Sequence, residues 1–462
     1  MKFALICCGN EESYGLLFVG AELNLFGQEI KYFDADRDGD LIGRIIDWDP
    51  DFICFSPMIA FVDRLVSVCR EIKYRNSEIV SCFGGVYVFT NPDIIEEPSI
   101  DIAVVGPVRG SISRILSGER GRIITGLTNT NDIPFPSREQ YYKDIPRIGN
   151  RYRKFIVSML GCPWNCSYCN SSSKLRQQVF GVEPFRRYFL QRRPVATMIE
   201  ELRDIDRFGN TQEIQWCDDD VFYGHKDDEW LVEFARQWKK EFKFKSYIQT
   251  SSHSCLSASD LVLKEVGEIS SCAGMGIEAT RPSSLKIFNR QWDTEKKMKK
   301  AYDRLVSFGY SVNMQAIVGL PVDDPVEDAL HTIKGMQRIG AGSVCSVYPM
   351  QVYPKSKIKQ YCEDNGFEFH HTLKKDTNTG AVDIKFDDIT TKRLKNICKL
   401  GTMFVKYNID DKWMRALIDV DFDDATSKKL SEVRYRECIS DRIKDADVNE
   451  INGIINNTNL RY

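Results

Sequence analysis

Over the first hundred residues, short apolar runs alternate with segments in which apolar residues recur at helical spacing. Residues 2–8 read as a buried strand, and residues 14–26 carry apolar positions at a period near 3.6, with Gly27 as the helix stop. A second strand at 29–33 ends at Asp34, and a third covers 51–56. A helix at 61–73 leads to a fourth strand at 79–83, closed by Gly84-Gly85. A fifth strand at 102–105 is closed by Gly106. Strands separated by helices predict a doubly wound parallel sheet over residues 1–118, of the Rossmann or flavodoxin-like kind. Ligands of such sheets bind beyond the carboxyl ends of the strands. Ser56, Gly84, Gly85 and Gly106 fall on that edge.

Residues 119–150 are rich in Thr, Asn, Asp, Pro and Gly and read as a linker. A second strand–helix series then occupies 151–358. Its strands are expected at 154–160, 213–217, 246–250, 272–277, 311–318 and 343–348, with helices such as 196–207, 295–308 and 326–339 between them. Six units predict a partial (β/α)6 barrel of the TIM type, with its chemistry at the carboxyl-end face. Residues 359–462 are charged and mostly helical in pattern, and they carry no recognisable motif.

Composition changes this picture little. Hydrophobic residues at 42% and charged residues at 28% are ordinary for globular domains. A net charge of -3 provides no long-range basic field and argues against a nucleic-acid partner. No apolar run is long enough to span a bilayer, and the first residues lack a signal-peptide layout. The expected compartment is the reducing cytoplasm, where the 15 cysteines are buried thiols or metal ligands.

Only one group of cysteines is tightly spaced. Cys162-Pro-Trp-Asn-Cys166-Ser-Tyr168-Cys169 gives C-x3-C-x2-C directly after a strand. Three thiolates on one loop can hold three irons of a 4Fe–4S cubane and leave the fourth open to a ligand. A zinc loop completed by a distant residue, or plain buried cysteines, is the alternative. C-x3-C-x-aromatic-C after the first barrel strand resembles the radical S-adenosylmethionine (SAM) superfamily. The resemblance implies that Cys162, Cys166 and Cys169 hold the cluster, whose open iron binds SAM. It also implies cleavage of SAM to a 5′-deoxyadenosyl radical that abstracts hydrogen from substrate, with Tyr168 beside the cluster near the adenine.

Further segments resemble the same family in order. Arg192-Arg193-Pro194 and Glu200-Glu201-Leu202 resemble the start of the first barrel helix in members with a cobalamin domain. Asp218-Asp219-Asp220-Val-Phe222 follows the second strand and resembles an Asp-Asp-x-Phe signature; Asp219 or Asp220 would meet the SAM ammonium. Met275-Gly276-Ile277-Glu278 resembles a Gly-Ile-Glu segment, with Glu278 at the ribose hydroxyls. Gly319-Leu320-Pro321 resembles a Gly-Leu-Pro segment near the adenine, with Gly319 and Pro321 as contacts. Taken singly, each of these also reads as an acidic turn, a surface carboxylate or a tight turn.

The first domain resembles the cobalamin-binding domain that precedes many such barrels, through Ser13-Tyr-Gly-Leu-Leu, Gly27, Asp34, Ser56, Gly84-Gly85 and Val104-Val105-Gly106. There are two departures. The Asp-x-His-x-x-Gly signature is absent, and the first histidine of the chain is His225, so this domain offers cobalt no histidine ligand. Gly106-Pro107-Val108-Arg109 stands where relatives have Gly-Glu-Gly-Glu. A flavodoxin-like domain kept for packing or substrate binding is the competing reading.

These resemblances lead to a cobalamin-dependent radical SAM enzyme, a methyltransferase acting on an unactivated carbon of a small-molecule or peptide substrate. An electron donor such as flavodoxin or ferredoxin is implied with it. The alternatives are a radical SAM enzyme catalysing a non-methylating rearrangement, cyclisation or oxidation, with or without cobalamin, and a non-enzymatic iron–sulfur protein. Cys217 at the second strand end is a candidate hydrogen donor, and Tyr348 after the sixth strand, with Tyr353 and Pro354, a candidate pocket residue. Cys7-Cys8 reads as buried strand cysteine. Cys345, Cys362, Cys398 and Cys438 are too dispersed for a second cluster, and His370-His371 reads as solvent-facing.

Overall fold

The protein is described from a computed structural model. The structure describes all residues except 127, 128, 130–132, 134, 137, 225–227, 371–381 and 443–462; the side chains of 435 and 438–442 are likewise outside it. The His371 and Cys438 readings therefore lie outside the described residues. Two compact units emerge, Met1–Leu160 with Arg176–Thr211, and Gly161–Leu175 with Gln212–Tyr462.

The first unit holds a six-stranded sheet made of β1 (Lys2–Cys7), β2 (Glu29–Asp34), β3 (Phe52–Phe55), β4 (Val80–Phe83), β5 (Ile102–Val105) and β6 (Gly121–Ile124). Its order is β2-β1-β3-β4-β5-β6, all parallel, as expected of a doubly wound sheet. β3 is buried along its whole length, as a central parallel strand covered on both faces must be. The core gathers Phe3, Leu5 and Leu17 with Tyr141 and Ile148.

The expected linker proves more regular than its composition suggests. It supplies β6 and the helices Arg138–Asp144 and Pro146–Gly149. The turn-forming residues that dominate 125–137 masked the short strand before them and the helix after them. Arg138 and Glu201 lie fully buried, and Arg138 Nη2 donates to Glu201 Oε1 at 2.8 Å. Arg193 Nη1 reaches Glu201 Oε2 at 2.6 Å, and the Tyr14 hydroxyl donates to Oε1 at 2.5 Å. The Arg-Arg-Pro and Glu-Glu-Leu segments thus serve a buried ion network, which joins four separate stretches of the first unit.

The second sheet comprises β7 (Arg153–Ile156), β8 (Glu213–Trp216), β9 (Lys245–Ser251), β10 (Ser270–Glu278), β11 (Ser311–Val318) and β12 (Cys345–Pro349) in sequential order. A parallel sheet with sequential order curls into a half-barrel rather than winding both ways. Helices Asp228–Glu241, Asp260–Ile269, Glu295–Ser307 and Pro325–Gly340 separate β8 to β12. The expected C-terminal helices appear as Lys357–Asp364, Asp388–Lys406, Asp411–Ile418 and Asp424–Arg442. No helix among the described residues is long and apolar enough to cross a membrane.

Replacing Glu201 by Gln strands two buried guanidinium groups. The expected loss is about 3–5 kcal/mol of stability, read as a lowered urea midpoint by circular dichroism; an unchanged midpoint would refute a structural role for the network.

Candidate functional site

The three cysteines sit on a segment of turns and irregular backbone that ends where helix Ser173–Phe180 begins. Such a loop must place its backbone hydrogen bonds elsewhere. Ser167 N donates to Phe288 O at 3.0 Å, its hydroxyl to Ile287 O at 2.6 Å, and Ile358 N to Ser167 O at 2.9 Å. Asn289 Nδ2 donates to Asn165 O at 2.8 Å. The strongest anchor is Trp164, between the first two cysteines. Its Nε1 donates to Asp220 Oδ2 at 2.6 Å. Its ring stacks on Trp292 with centroids 5.0 Å apart, and the exposed His253 meets it edge-on at 5.2 Å.

This geometry separates the two candidate aspartates. Asp220 is buried and accepts from Trp164, Thr250, Ser251 and Ser254. Burial still raises its pKa, and those hydrogen bonds only partly offset the rise. Its lone pairs are spent on holding the loop. Asp219 is exposed and stands beside Cys162, whose thiol is pushed far up by burial, with Asp219 the next contributor.

Across the loop, Arg290 draws three predicted residues together. It lies buried, with Nη1 donating to Glu278 Oε1 at 3.0 Å and to the Tyr168 hydroxyl at 3.3 Å. Its Nη2 meets Gly276 O at 2.8 Å and Asp293 Oδ2 at 3.0 Å. Glu278 has a left-handed backbone, φ 61°, an uncommon conformation for a residue with a side chain. Burial raises its pKa, and Arg290 pulls it back. Burial also raises the Cys166 thiol, against the lowering effect of Arg290. Tyr353 is pushed up to about 12, first by burial and then by Cys169, so it also belongs to this neighbourhood.

Three thiols, an arginine and two carboxylates on one face fit a cluster with a zwitterionic ligand. Among the described residues no three His, Cys, Asp or Glu side chains are gathered as ligands of one metal ion. A cubane does not require that closeness, since its three thiolates sit on three different irons.

Other predicted residues fall less centrally. Cys217 is half-buried with its thiol 3.5 Å from Gln215 O, and Tyr348 is 38% exposed. Gly319 has φ 82°, and a Cβ there would press on Val382 at 2.8 Å; Pro321 is buried. The need for glycine at 319 is therefore local packing and backbone conformation.

In the first unit, Ser56 lies under two glycines, since a Cβ at either Gly15 or Gly85 would strike its hydroxyl. Gly85 has φ 82°, and Gly84 leaves ordinary contact distance, 3.8 Å, to Val104. This narrow cradle of small residues fits a bulky ligand laid against the strand ends. Gly106 differs: a Cβ there would meet Thr125 O and, at 3.1 Å, Phe180. Arg109 pairs with the buried Glu22 at 3.3 Å. Arg147 pairs with Asp34 and donates to Gly9 O at 2.9 Å, which engages the β1 and β2 ends.

Sequence reading missed Trp164, Arg290 and Arg147. Only Trp164 had a signal, an aromatic within the cysteine spacing. Arg290 follows the short helix Pro282–Ile287 after β10, and nothing in its neighbours marks it.

Residues 156–333 match the Radical SAM superfamily family. An uncharacterised methyltransferase of Pyrococcus horikoshii is 21% identical over 384 residues, covering 78% of this chain and 79% of the relative. The hopanoid C-3 methylase of Methylococcus capsulatus is 24% identical over 184 residues, covering 35% of this chain and 36% of that protein. Among solved structures, the cobalamin-dependent S-adenosylmethionine radical enzyme OxsB with aqua-cobalamin bound aligns with TM-score 0.66 at 13% identity, over 99% of this chain and 78% of that one. The radical S-adenosylmethionine methyltransferase TsrM from Kitasatospora setae, with cobalamin and a 4Fe–4S cluster bound, aligns with TM-score 0.62 at 14% identity, over 79% and 75%. At these identities the structural likeness speaks for the fold.

Trp164→Phe keeps the ring on Trp292 and removes the hydrogen bond to Asp220. It is expected to cost about 1.5–3 kcal/mol and to lower the iron retained after reconstitution. Unchanged melting and iron content would mean that this bond does not hold the loop.

Proposed function

We propose that this chain, a radical SAM protein by its residues 156–333, is a cobalamin-dependent methyltransferase that acts on an unactivated carbon. One observation carries the reading: the C-x3-C-x2-C loop shares its surroundings with Tyr168, Arg290 and Glu278 within the second unit. The curated relatives named as methyltransferases support the reaction type. The Ser56 cradle supports a bulky cofactor on the first sheet.

Cys162, Cys166 and Cys169 would hold the cluster, and Asp219 would accept the SAM ammonium. Glu278, strained in place and oriented by Arg290, would accept from the ribose hydroxyls. Tyr168 is fixed beside Cys166 by its bond to Arg290 and would wall the adenine, with Gly319 and Pro321 behind it. Ser56, Gly84 and Gly85 would carry cobalamin without a histidine ligand from this domain. The bound cofactors supply the substrate radical and the methyl group; the protein supplies position and exclusion of water. Cys217 and Tyr348 are the proposed substrate-side residues. An electron donor of the flavodoxin or ferredoxin type would reduce the cluster. Cytoplasmic residence suits a chain whose described cysteines are all free thiols.

Gly106 favours a second reading. A Cβ at Gly106 would meet Thr125 and Phe180, so this strand end is crowded on that side where Gly84 is not. This supports a radical SAM reaction without methyl transfer, with or without cobalamin.

Anaerobic reconstitution with iron, sulfide and hydroxocobalamin tests both. The expected result is cluster absorption abolished by the Cys162/Cys166/Cys169→Ala variant, cobalamin bands retained there but lost in Gly85→Val, and a methylated product with SAM. Deoxyadenosine without methylation would move the assignment to the second reading, and no cysteine-dependent cluster would overturn the first.

A further inference from the structure

The two faces of the half-barrel differ sharply in chemistry. On β8 to β12, one set of alternate residues packs on the helices. Trp216 meets Phe234 with ring centroids 5.1 Å apart, and Thr402 on helix Asp388–Lys406 donates to Cys345 O at 2.8 Å. Ile248, Met275, Met314 and Ala316 complete that face and are fully buried. The opposite set is polar: Gln215 on β8, Tyr247 and Gln249 on β9, Asn313 and Gln315 on β11, and Ser346 on β12. Ile317 is an apolar exception near its far end. Glu213 and Lys245 are first in their strands; beyond them this face carries no charge until Glu278.

A polar face inside a barrel needs a reason, because unpartnered amides are costly there. Part of this one is satisfied internally. Gln315 Nε2 donates to the Tyr247 hydroxyl at 3.0 Å, and Asn313 Nδ2 donates to Ser346 Oγ at 3.1 Å. The side-chain amides of Gln215 and Gln249, both half-buried, make no hydrogen bond among the described residues. β10 makes room for this set with glycine: a Cβ at Gly274 would meet Gln249, Tyr247 and Gln315 at 2.5–2.8 Å. Two residues further along β10, Gly276 is held by Arg290, which also binds Glu278. The polar face is therefore continuous with the proposed SAM site.

We infer that this face binds the substrate, and that the substrate is an uncharged polar molecule presenting paired donors and acceptors, as amides or vicinal hydroxyls do. A carboxamide both donates and accepts, so Gln215 and Gln249 match such groups without selecting a charge. A fused-ring hydrocarbon would leave both amides stranded, at a cost of roughly tenfold in affinity for each. The inference rests on the radical SAM reading for the site's place in the reaction, but not for the binding itself.

The test is therefore made on the full chain before cluster reconstitution, by saturation-transfer NMR. N-acetylglycinamide and methyl glucopyranoside serve as the amide and hydroxyl probes, and cyclohexane as the hydrocarbon probe. Binding of at least one polar probe is expected, weakened about 3- to 10-fold in Gln249→Leu and again in Gln215→Leu, with Gln249→Asn intermediate. Circular dichroism confirms that each variant is folded. Binding of the amide probe alone, or of the hydroxyl probe alone, supports the inference and identifies the source of the groups. Polar binding that survives both leucine variants, no polar binding, or cyclohexane binding in the wild type overturns it. Failure of SAM cleavage in the reconstituted protein would sink the reaction assigned above and leave this result standing.

Discussion

A loop without regular structure can present three thiols in a fixed array only if something rigid takes hold of it. Here that is Asp220, a carboxylate removed from water at the end of the β8 segment. It accepts from Trp164 on the loop, from Thr250 and Ser251 at the end of β9, and from Ser254 in the helix Ser252–Ser257 that follows. Burying a carboxylate is costly, and four donors offset much of that cost. The arrangement is directional where apolar packing is not. It fixes the angle of one indole, and through it the path of the backbone between Cys162 and Cys166. The contacts from Phe288, Asn289 and Ile358 then close the rest of the loop.

Much of this architecture was legible because parallel strands announce themselves. The runs at 102–105 and 311–318 match the strands to the residue, since apolar β-branched residues ending in glycine leave few other options. The cysteine spacing was equally clear, because few local patterns place three thiols on one turn. Short elements in turn-rich sequence were not legible. β6 is four residues long, and only its pairing with β5 marks it as a strand. The division of labour among Asp218, Asp219 and Asp220 was also hidden. Identical side chains in sequence differ only in which way the backbone turns them, and that is decided by partners some thirty residues away.

The two sheets show what burial patterns add to such a reading. β3 is buried at every position, whereas β11, after a buried run at Val312, Asn313 and Met314, alternates between half-buried and buried residues from Gln315 to Val318. Parallel strands covered on both faces have no use for alternation. A parallel sheet that alternates keeps one face open to something other than a helix layer. That period-2 signal was present along 311–318, where Asn313 and Gln315 interrupt Val312, Met314 and Ala316.

Each unit buries an ion cluster, and the two clusters differ in a telling way. Around Glu201, a carboxylate with no exposure lies between two arginines in ordinary helical backbone, and its neighbours are the framework of its own unit. Around Glu278, the carboxylate retains 14% side-chain exposure, and its backbone is held at positive φ. A structural ion pair gains nothing from backbone strain, which costs on the order of 1–3 kcal/mol. Strain persists where the surrounding structure compels a side chain to face a direction that relaxed backbone would not give it. Arg290 applies that constraint from one side, and the register shift between Gly276 and Glu278 on β10 applies it from the other. The consequence is a carboxylate that shares Arg290 with Tyr168 of the cysteine loop and stands near enough to Cys166 to raise its thiol.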